Sequence, residues 1–339
     1  MLPAATLHLI PRHLAAALLT VMLSLSGCQL RPPPAATPTS SAPSPALATG
    51  TPPPTPRVIL VAPAETPASL AQQAEAALQS LASTAQMEFV RQAALPGGEL
   101  NAIALLVALP PDPGLLAWAQ AHPEVTSAGL GIPGLQSTPN LSVIAPDGLR
   151  YDQLGFALGY LAALLTPEYR IGALARDASP QSLSLARGFV AGGTYYCGLC
   201  RPLHPPYLGY PELLDSAPID PAAAGIRALL LAPVPTAPAE AGIGGTTGFV
   251  LMGMGEPSAQ LAPLWLASAD FDVAGTLALL WEATQTGAAS VSLPLGIRLH
   301  SVDPVRVSPG RLALAEMLIA ELVAGRVDTG IDPATGQPR

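Results

Sequence analysis

The sequence predicts an α/β protein in which parallel sheets are covered by helices on both faces. Short apolar runs of strand length alternate along the chain with segments whose apolar residues recur at helical spacing. These segments fall into two successive sets, and the second set begins with the helix predicted over 151–165. Proline or serine stands at the start of several helical segments, as is typical of helix N-termini.

The first set begins with a strand over 58–61. Thr66 can cap the helix that follows, with Pro67 at its first position, where a missing N–H costs nothing. The residues that form the apolar face of this helix are Leu70, Ala74, Leu78 and Leu81. Further strands are predicted over 87–90, 102–109, 125–130 and 141–144.

The helix over 151–165 is apolar nearly all round, which predicts burial between two layers. Gly155 and Gly159 share one face, where they would allow a close approach to a sheet. The helix is too short to span a membrane. The remaining elements are predicted at 171–175 (strand), near 182–191 (helix), 228–232 and 249–252 (strands), 273–284 (helix) and from Ser308-Pro309 to Gly325 (helix).

Residues 1–27 have the parts of a bacterial export signal: Arg12 and His13, an apolar segment over 14–25, and small residues. The apolar segment is too short to cross about 30 Å of hydrocarbon as a helix. The motif Leu25-Ser26-Gly27-Cys28 resembles the bacterial lipobox, which implies cleavage before Cys28 and lipidation of this residue. The alternative is an ordinary signal peptide followed by a chance cysteine.

Residues 28–57 are predicted to form a lipidated, disordered tether rich in proline. Over 31–57 almost no large apolar side chain occurs, so burial cannot offset the entropy lost on ordering. Such a stretch acts as an extended spacer between a membrane and a folded domain. We therefore expect a protein anchored by lipid to the extracytoplasmic face of the cell membrane.

The charged residues exclude several classes of function. All 15 basic residues are arginine, which excludes a Schiff-base lysine, a lysine general base and a P-loop lysine. The net charge is −8 and no basic stripe is present, so nucleic acid is not an expected partner. The histidines show no metal-ligand spacing and no Gly-x-Ser-x-Gly motif occurs. We expect neither an enzyme nor a protein that holds a metal or a cofactor.

Five blocks of sequence point to a known family. They are Thr138-Pro139-Asn140-Leu141 with 153–165, Arg170-Ile171-Gly172, the run from Arg187 to Gly192, Gly253-Met254-Gly255 with 264–268, and the amphipathic C-terminal helix. In these blocks, which span most of 58–331, the chain resembles the basic membrane protein group of bacterial surface lipoproteins. That group includes Med-like proteins and the purine-nucleoside receptors of ABC importers.

The resemblance implies a two-lobed type I periplasmic-binding-protein fold, in which two doubly wound parallel sheets are joined by hinge strands. Lobe 1 is then expected over 58–145 with a return segment near 268–297, and lobe 2 over 146–267 with a C-terminal segment near 298–331, followed by a tail over 332–339. The implied function is a solute-binding lipoprotein of an ABC importer, with a small-molecule ligand and an ABC permease as partners. The alternative is a Med-like surface regulatory or interaction lipoprotein with a degenerate cleft.

In doubly wound sheets, ligands bind beyond the carboxyl ends of the strands. Under the resemblance, the residues expected at this address in contact with the ligand are Glu65, Thr66, Asp112, Asp177, Tyr196, Glu256, Ser268, Asp270 and Phe271. Each carboxylate taken alone is better explained as a helix N-cap or a solvated loop residue than as a ligand contact. Their shared position at strand ends is what groups them.

The pattern of the nucleoside receptors is incomplete in this chain. The loop over 62–66 lacks their aromatic residue and asparagine, Gly255 stands in place of their ribose-binding acid with Glu256 next to it, and Phe271 replaces their lysine. Ribose hydroxyls left unpaired in a closed cleft would each cost roughly 1–3 kcal/mol. The expected ligand is therefore nucleoside-like or more apolar, or the cleft binds none.

Cys197 and Cys200 form a Cys-x-x-Cys pair, which outside the cytoplasm favours a structural disulfide. The alternatives are a redox dithiol and half of a metal site. A redox dithiol normally opens a helix, whereas here the proline-containing run Arg201-Pro202-Leu203-His204-Pro205-Pro206 follows. Zinc requires four ligands, and only His204 is near enough in sequence to join the two cysteines.

Overall fold

The computed structural model describes residues 54–98, 100–198, 209–214, 225–232, 248–287 and 290–339. The strands are β1 (Arg57–Val61), β2 (Glu88–Gln92), β3 (Ile103–Ala108), β4 (Ser127–Leu130), β5 (Leu141–Ile144), β6 (Ile171–Ala175), β7 (Glu212–Leu214), β8 (Ala228–Ala232), β9 (Val250–Gly253), β10 (Trp265–Asp272), β11 (Ser292–Leu293) and β12 (Gly296–His300). The helices are α1 (Ala68–Thr84), α2 (Leu115–Ala121), α3 (Tyr151–Leu165), α4 (Pro180–Cys197), α5 (Val273–Gln285) and α6 (Pro309–Val323). The predicted signal segment, the tether up to residue 53 and Cys28 lie outside the described residues.

These strands form two sheets, which confirms the predicted fold class. The first sheet has the order β11-β5-β4-β3-β1-β2, and its described pairs are all parallel. The second has the order β12-β10-β9-β8-β6-β7, in which β12 alone of the described strands runs antiparallel, against β10. We call the first sheet with α1, α2 and α5 the first lobe, and the second sheet with α3, α4 and α6 the second lobe.

The chain crosses between the lobes at three places within the described residues. The first lies between β5 and α3, the second where β10 runs directly into α5, and the third between β11 and β12. Helix α5 packs against α1 of the first lobe, whereas α6 packs against α3 and β12 of the second. The final residues also belong to the second lobe, since Arg187 in α4 donates to the Gly336 carbonyl at 2.7 Å.

Most of the sequence-predicted elements are confirmed, and β5, α3, β6 and β8 have the predicted bounds. Five elements were not predicted: α2, β7, β10, β11 and β12. Three of them, α2, β7 and β11, are only seven, three and two residues long, too short to show a periodicity. Strands β10 and β12 contain charged residues such as Asp270 and Arg298. A search for apolar runs alone therefore does not detect these two strands.

Two of the predicted helix caps are wrong. The hydroxyl of Thr66 donates to the Pro110 carbonyl at 2.7 Å, and α1 begins without a side-chain cap. Ser308 occupies the N-cap position of α6 but makes no capping hydrogen bond. By contrast, Ser179 caps α4, because its hydroxyl oxygen accepts from the Ser182 N–H at 3.2 Å and Pro180 follows it.

Gly155 and Gly159 in α3 face a helix, which corrects the expectation that they would face a sheet. A Cβ at Gly155 would collide with the carbonyl oxygen of Leu185 in α4, and one at Gly159 with that of Phe189. Likewise, a Cβ at Gly188 or Gly192 in α4 would collide with the carbonyl oxygen of Asp152 or Phe156, respectively, in α3. The two helices therefore touch backbone to backbone, and this contact requires all four glycines.

A buried ion pair closes the start of α3. The Asp152 side chain is completely buried, and Arg150 donates to its two carboxylate oxygens at 2.8 and 2.6 Å. Thr329, from the segment after α6, donates its hydroxyl proton to the same carboxylate. Removing one partner of such a pair leaves an uncompensated buried charge, which typically costs about 3–5 kcal/mol.

None of the described helices combines the length and the hydropathy that a membrane-spanning helix needs.

Gly159→Ala is expected to lower the free energy of unfolding by about 1–3 kcal/mol, because the added methyl group meets the Phe189 carbonyl. Gly310→Ala is the matched control, since nothing lies within 4 Å of a Cβ at this position near the start of α6. The control should leave stability unchanged or raise it by up to about 1 kcal/mol. Urea denaturation followed by far-UV circular dichroism measures both. Equal effects would show that α3 and α4 do not depend on backbone contact.

Candidate functional site

A cavity of about 630 Å³ lies between the two lobes, and we call it the interlobe cavity. The first lobe contributes residues from the first turns of α1: Pro67, Ser69, Gln72, Gln73 and Ala76. The second lobe contributes Tyr151, Asp177, Ser179, Gln181, Ser182, Leu185, Met254, Gly255, Glu256, Asp270, Arg298 and His300. The volume is within the range of roughly 300–1,000 Å³ that is typical of small-molecule sites.

The interlobe cavity lies at the carboxyl ends of the parallel strands in both sheets. Helix α1 follows β1, Asp177 comes two residues after β6 ends, and Glu256 three residues after β9 ends. This is the edge where doubly wound sheets bind ligands. Of the predicted contacts, Asp177, Glu256 and Asp270 line the cavity together.

His300 joins two of these carboxylates. Its Nε2 lies 2.8 Å from Oδ2 of Asp270, and its Nδ1 lies 3.1 Å from Oε1 of Glu256. Ionised carboxylates only accept hydrogen bonds, so both contacts are satisfied when the imidazole carries both protons. Ser301 donates to Oε2 of Glu256 at 2.6 Å and completes the cluster. Asp270, His300, Glu256 and Ser301 therefore form one hydrogen-bonded cluster on the wall of the cavity.

The loop that carries Glu256 is held by polar side chains of β10. Trp265 donates from Nε1 to the Ser268 hydroxyl at 2.9 Å, and Ser268 donates to the Gly255 carbonyl at 2.6 Å. The Gly255 N–H then donates to Oδ1 of Asp270 at 3.1 Å. Gly255 has φ +71°, in the left-handed region that favours glycine. Ser268 thus positions the loop and is itself completely buried.

Asp177 lines the cavity from the segment between β6 and α4. It is exposed, and its Oδ1 accepts from the Ser179 N–H at 2.9 Å and from the Ser179 hydroxyl at 2.5 Å. The hydrogen bond from the Ser179 side chain, followed by that from Ser182, lowers the pKa of Asp177. Asp177 is therefore held as an anion at the first turn of α4.

Two aromatic side chains contact each other beside the cavity. Tyr151 lines it and meets Phe271 edge-on, with ring centroids 5.3 Å apart. Burial raises the pKa of Tyr151 to about 12, so the phenol stays neutral at physiological pH. Phe271, one of the predicted contacts, lies in the hydrophobic core and not on the cavity wall.

The other predicted contacts have different places. Thr66 is engaged with Pro110, and Glu65 is exposed in the turn before α1. Asp112 lies in the turn before α2, where its Oδ1 accepts from the N–H groups of Gly114 and Leu115 at 3.0 and 2.9 Å. Tyr196 lies near the C-terminal end of α4, where it meets the Tyr160 ring edge-on at 5.3 Å. None of these four residues lines the interlobe cavity.

Sequence reasoning missed Gln72, Gln73, Arg298 and His300, which line the interlobe cavity. Arg298 and His300 are two residues apart on β12, a spacing that places both side chains on one face of a strand. That spacing is the available signal, but the only partly buried residues of β12 do not mark it as a strand in the sequence. The glutamines lie on the first turns of α1 and had no distinguishing pattern.

Cys197 is the last residue of α4 and is half-buried. Cys200 lies outside the described residues, so the Cys197–Cys200 disulfide stays a prediction. Within the described ranges, no group of three or more His, Cys, Asp or Glu side chains is arranged to hold a metal ion.

Ser301→Ala is expected to raise the pKa of Glu256, because the Ser301 hydrogen bond is the largest cause that lowers it, with the charges of His300 and Arg298 adding to it. A carboxylate with a lowered folded-state pKa stabilises the fold above its ordinary pKa of about 4.3, and this contribution is lost as the pH falls through the lower folded value. In Ser301→Ala this contribution should be smaller, and its loss should be complete at a higher pH.

A ¹³C NMR titration of the Glu256 carboxyl measures this pKa directly. Ser308→Ala is the control, since Ser308 is exposed and its side chain makes no capping bond. An unchanged titration in Ser301→Ala would contradict the assigned role of Ser301.

No protein-family model and no curated protein matches the sequence. Among solved structures, an ABC transporter system solute-binding protein from Conexibacter woesei DSM 14684 is similar with a TM-score of 0.56 at 17% identity, covering 80% of this chain and 98% of that one. An ABC transporter solute-binding protein from Aeropyrum pernix K1 follows with 0.51 at 15% identity, over 81% and 93%.

A transcriptional activator of the comK gene from Bacillus halodurans has a TM-score of 0.50 at 13% identity, over 80% of this chain and 99% of that one. At such low identities, the likeness bears on the fold. The two parallel-dominated sheets, their strand orders and these neighbours agree: the chain has the two-lobed type I periplasmic-binding-protein fold.

Proposed function

We propose that this protein is the extracytoplasmic solute-binding component of an ABC importer and that it encloses a small solute between its lobes. The observation that carries the proposal is the interlobe cavity of about 630 Å³, whose walls come from both lobes at the carboxyl ends of their strands. A solute bound there would contact both lobes, so its binding would favour the closed arrangement. The solved solute-binding proteins of similar fold support the same function.

Lobe closure needs connections that can rotate. Ala145, directly after β5, has φ +54°, which is uncommon for a residue other than glycine. It lines a second cavity of about 230 Å³ at the crossings, together with Phe271, Leu293, Pro294 and Leu295. Hinge motion in two-lobed proteins is absorbed by a few residues at the ends of such elements. These crossings are the proposed hinge.

The lining of the interlobe cavity favours a polar solute. It includes three carboxylates, one arginine, one histidine, three glutamines and three serines. Polar groups in a closed site must be paired, because each unpaired one costs roughly 1–3 kcal/mol. A polar solute pairs them better than the more apolar ligand considered from the sequence.

The first test is thermal unfolding of the protein with a panel of amino acids, nucleosides, bases, sugars and small carboxylates. A solute that binds only the folded state, at a hundred times its Kd, adds about 2.7 kcal/mol of stability and raises the Tm. We expect a saturable rise for at least one polar class. His300→Gln should weaken that rise, whereas Gln79→Ala, on the exposed face of α1, should not. The absence of any rise across the panel would contradict the proposal.

We further propose that Cys28 is lipidated and that the tether over 28–57 holds the protein at the extracytoplasmic face of the cell membrane. The lipobox-like motif and the proline-rich composition support this anchoring. Cys28→Ser should move the protein from the membrane to the soluble fraction and abolish palmitate labelling. Cys197→Ser, which leaves the motif intact, should not. Membrane retention of Cys28→Ser with undiminished labelling would contradict this proposal.

A Med-like surface regulatory lipoprotein with a degenerate cleft is the second candidate. It is favoured by one observation: six of the nine expected ligand contacts, including Ser268 and Phe271, do not line the interlobe cavity. The comK activator of similar fold is compatible with it. If no solute in the panel raises the Tm, this candidate is favoured over the importer component.

A further inference from the structure

The charged groups on the walls of the interlobe cavity fall into two sets. Asp270, Glu256 and His300 form the first set and already pair with one another at 2.8 and 3.1 Å. Arg298 and Asp177 form the second set. All five groups belong to the second lobe, whereas the first lobe presents only uncharged residues such as Gln72 and Gln73. A charged solute would therefore be selected by the second lobe.

Arg298 is a cation without an internal partner in the part of the chain that the structure describes. It is exposed on β12, lines the cavity and makes no ion pair there within 4.0 Å. The positive charge of Arg298 contributes to lowering the pKa of Glu256. The two carboxylate oxygens of Glu256, however, already bind His300 and Ser301. The planar guanidinium is suited to hold a carboxylate through two parallel hydrogen bonds.

Asp177 is the matching anion. Its partners among the described residues are the N–H and hydroxyl of Ser179 and the side chain of Ser182, which are all neutral. No described cation forms an ion pair with it, and it lines the same cavity as Arg298. An ammonium group would pair with this exposed carboxylate in a charge-assisted hydrogen bond.

We propose that the interlobe cavity takes a zwitterionic solute of the α-amino acid class, with its carboxylate on Arg298 and its ammonium group on Asp177. This inference rests on the proposed function. A neutral solute would leave both charges unpaired when lobe closure removes water, and a simple anion or cation would leave one. A zwitterion pairs both.

The remaining lining indicates what surrounds the two charged ends. Tyr151, Leu185 and Met254 offer apolar surface from the second lobe, and Ala76 adds to it from α1. The cavity of about 630 Å³ is much larger than an ammonium and a carboxylate need, so it leaves room for a sizeable side chain. Gln72 and Gln73 lie on the first-lobe wall, where they would hydrogen-bond to the solute as the lobes close.

Isothermal titration calorimetry of the full-length protein with the twenty standard amino acids tests the class. Two analogues of the amino acid that binds most tightly are then titrated: one lacks the amino group and the other lacks the carboxylate. Adenosine and glucose serve as neutral solutes. We expect saturable binding of at least one amino acid, and each analogue should bind about ten- to a hundredfold more weakly.

Two substitutions assign the two ends. Arg298→Gln should weaken amino acid binding about ten- to a hundredfold and should affect the carboxylate-free analogue little. Asp177→Asn should weaken it similarly and should spare the analogue without an amino group. Asparagine can still accept from Ser179, so the start of α4 is retained. Arg306→Gln is the control, because Arg306 pairs with Asp303 and does not line the cavity. The Tm of each variant without solute verifies its folding.

The outcomes separate this inference from the proposed function. Binding of adenosine or glucose, but of no amino acid, would overturn the zwitterion and leave a solute-binding protein. Amino acid binding that Arg298→Gln and Asp177→Asn leave unchanged would also overturn it. If no solute in this or the wider panel binds, both the zwitterion and the solute-binding function fail.

Discussion

The second lobe depends on the backbone contact between α3 and α4. Four glycines allow the carbonyls of one helix to occupy the space where side chains of the other would be. At ordinary helix spacing the axes are 8–10 Å apart, set by side chains at the contact. Without side chains at these positions the two helices interlock, and their N-terminal ends are fixed relative to each other. Tyr151 begins α3 and Ser179 caps α4, so the contact also fixes two parts of the cavity wall.

Strand β10 connects this framework to the site. It is nearly completely buried, yet it carries Ser268, Asp270 and Asp272. Each of these side chains has a specific partner: Ser268 holds the Gly255 carbonyl, Asp270 holds the Gly255 N–H and His300, and Asp272 caps α5 through the Gly275 N–H. Buried polar groups are tolerated only when they are paired in this way. One strand thereby positions the Glu256 loop and the start of the helix that returns to the first lobe.

The elements that could be predicted are those whose signal is local. Strand β8 is a run of apolar residues and α3 is an almost uninterrupted apolar helix, so burial is evident in their composition. Strand β12 shows the opposite case. Its alternation is weak, because its residues are only partly buried, and its role as an antiparallel edge strand follows from pairing with β10, which is far along the chain. Asp177, Glu256 and Asp270 were predicted as residues that follow strands; Asp177 and Glu256 do, but Asp270 lies within β10. His300 is identified only through its contacts.

The sequence by itself determined the α/β class, the two successive sets of elements and the bounds of several strands and helices, because periodicity and end signals act over a few residues. It also supports the predicted export motif and tether, which are compositional. The tertiary structure decided which of the candidate polar residues face the interlobe cavity. Ser268 and Asp270 differ by two positions on one strand and both hold the Gly255 loop, yet only Asp270 lines the cavity. Such a division depends on partners from distant segments, and no local pattern encodes which side chain meets them.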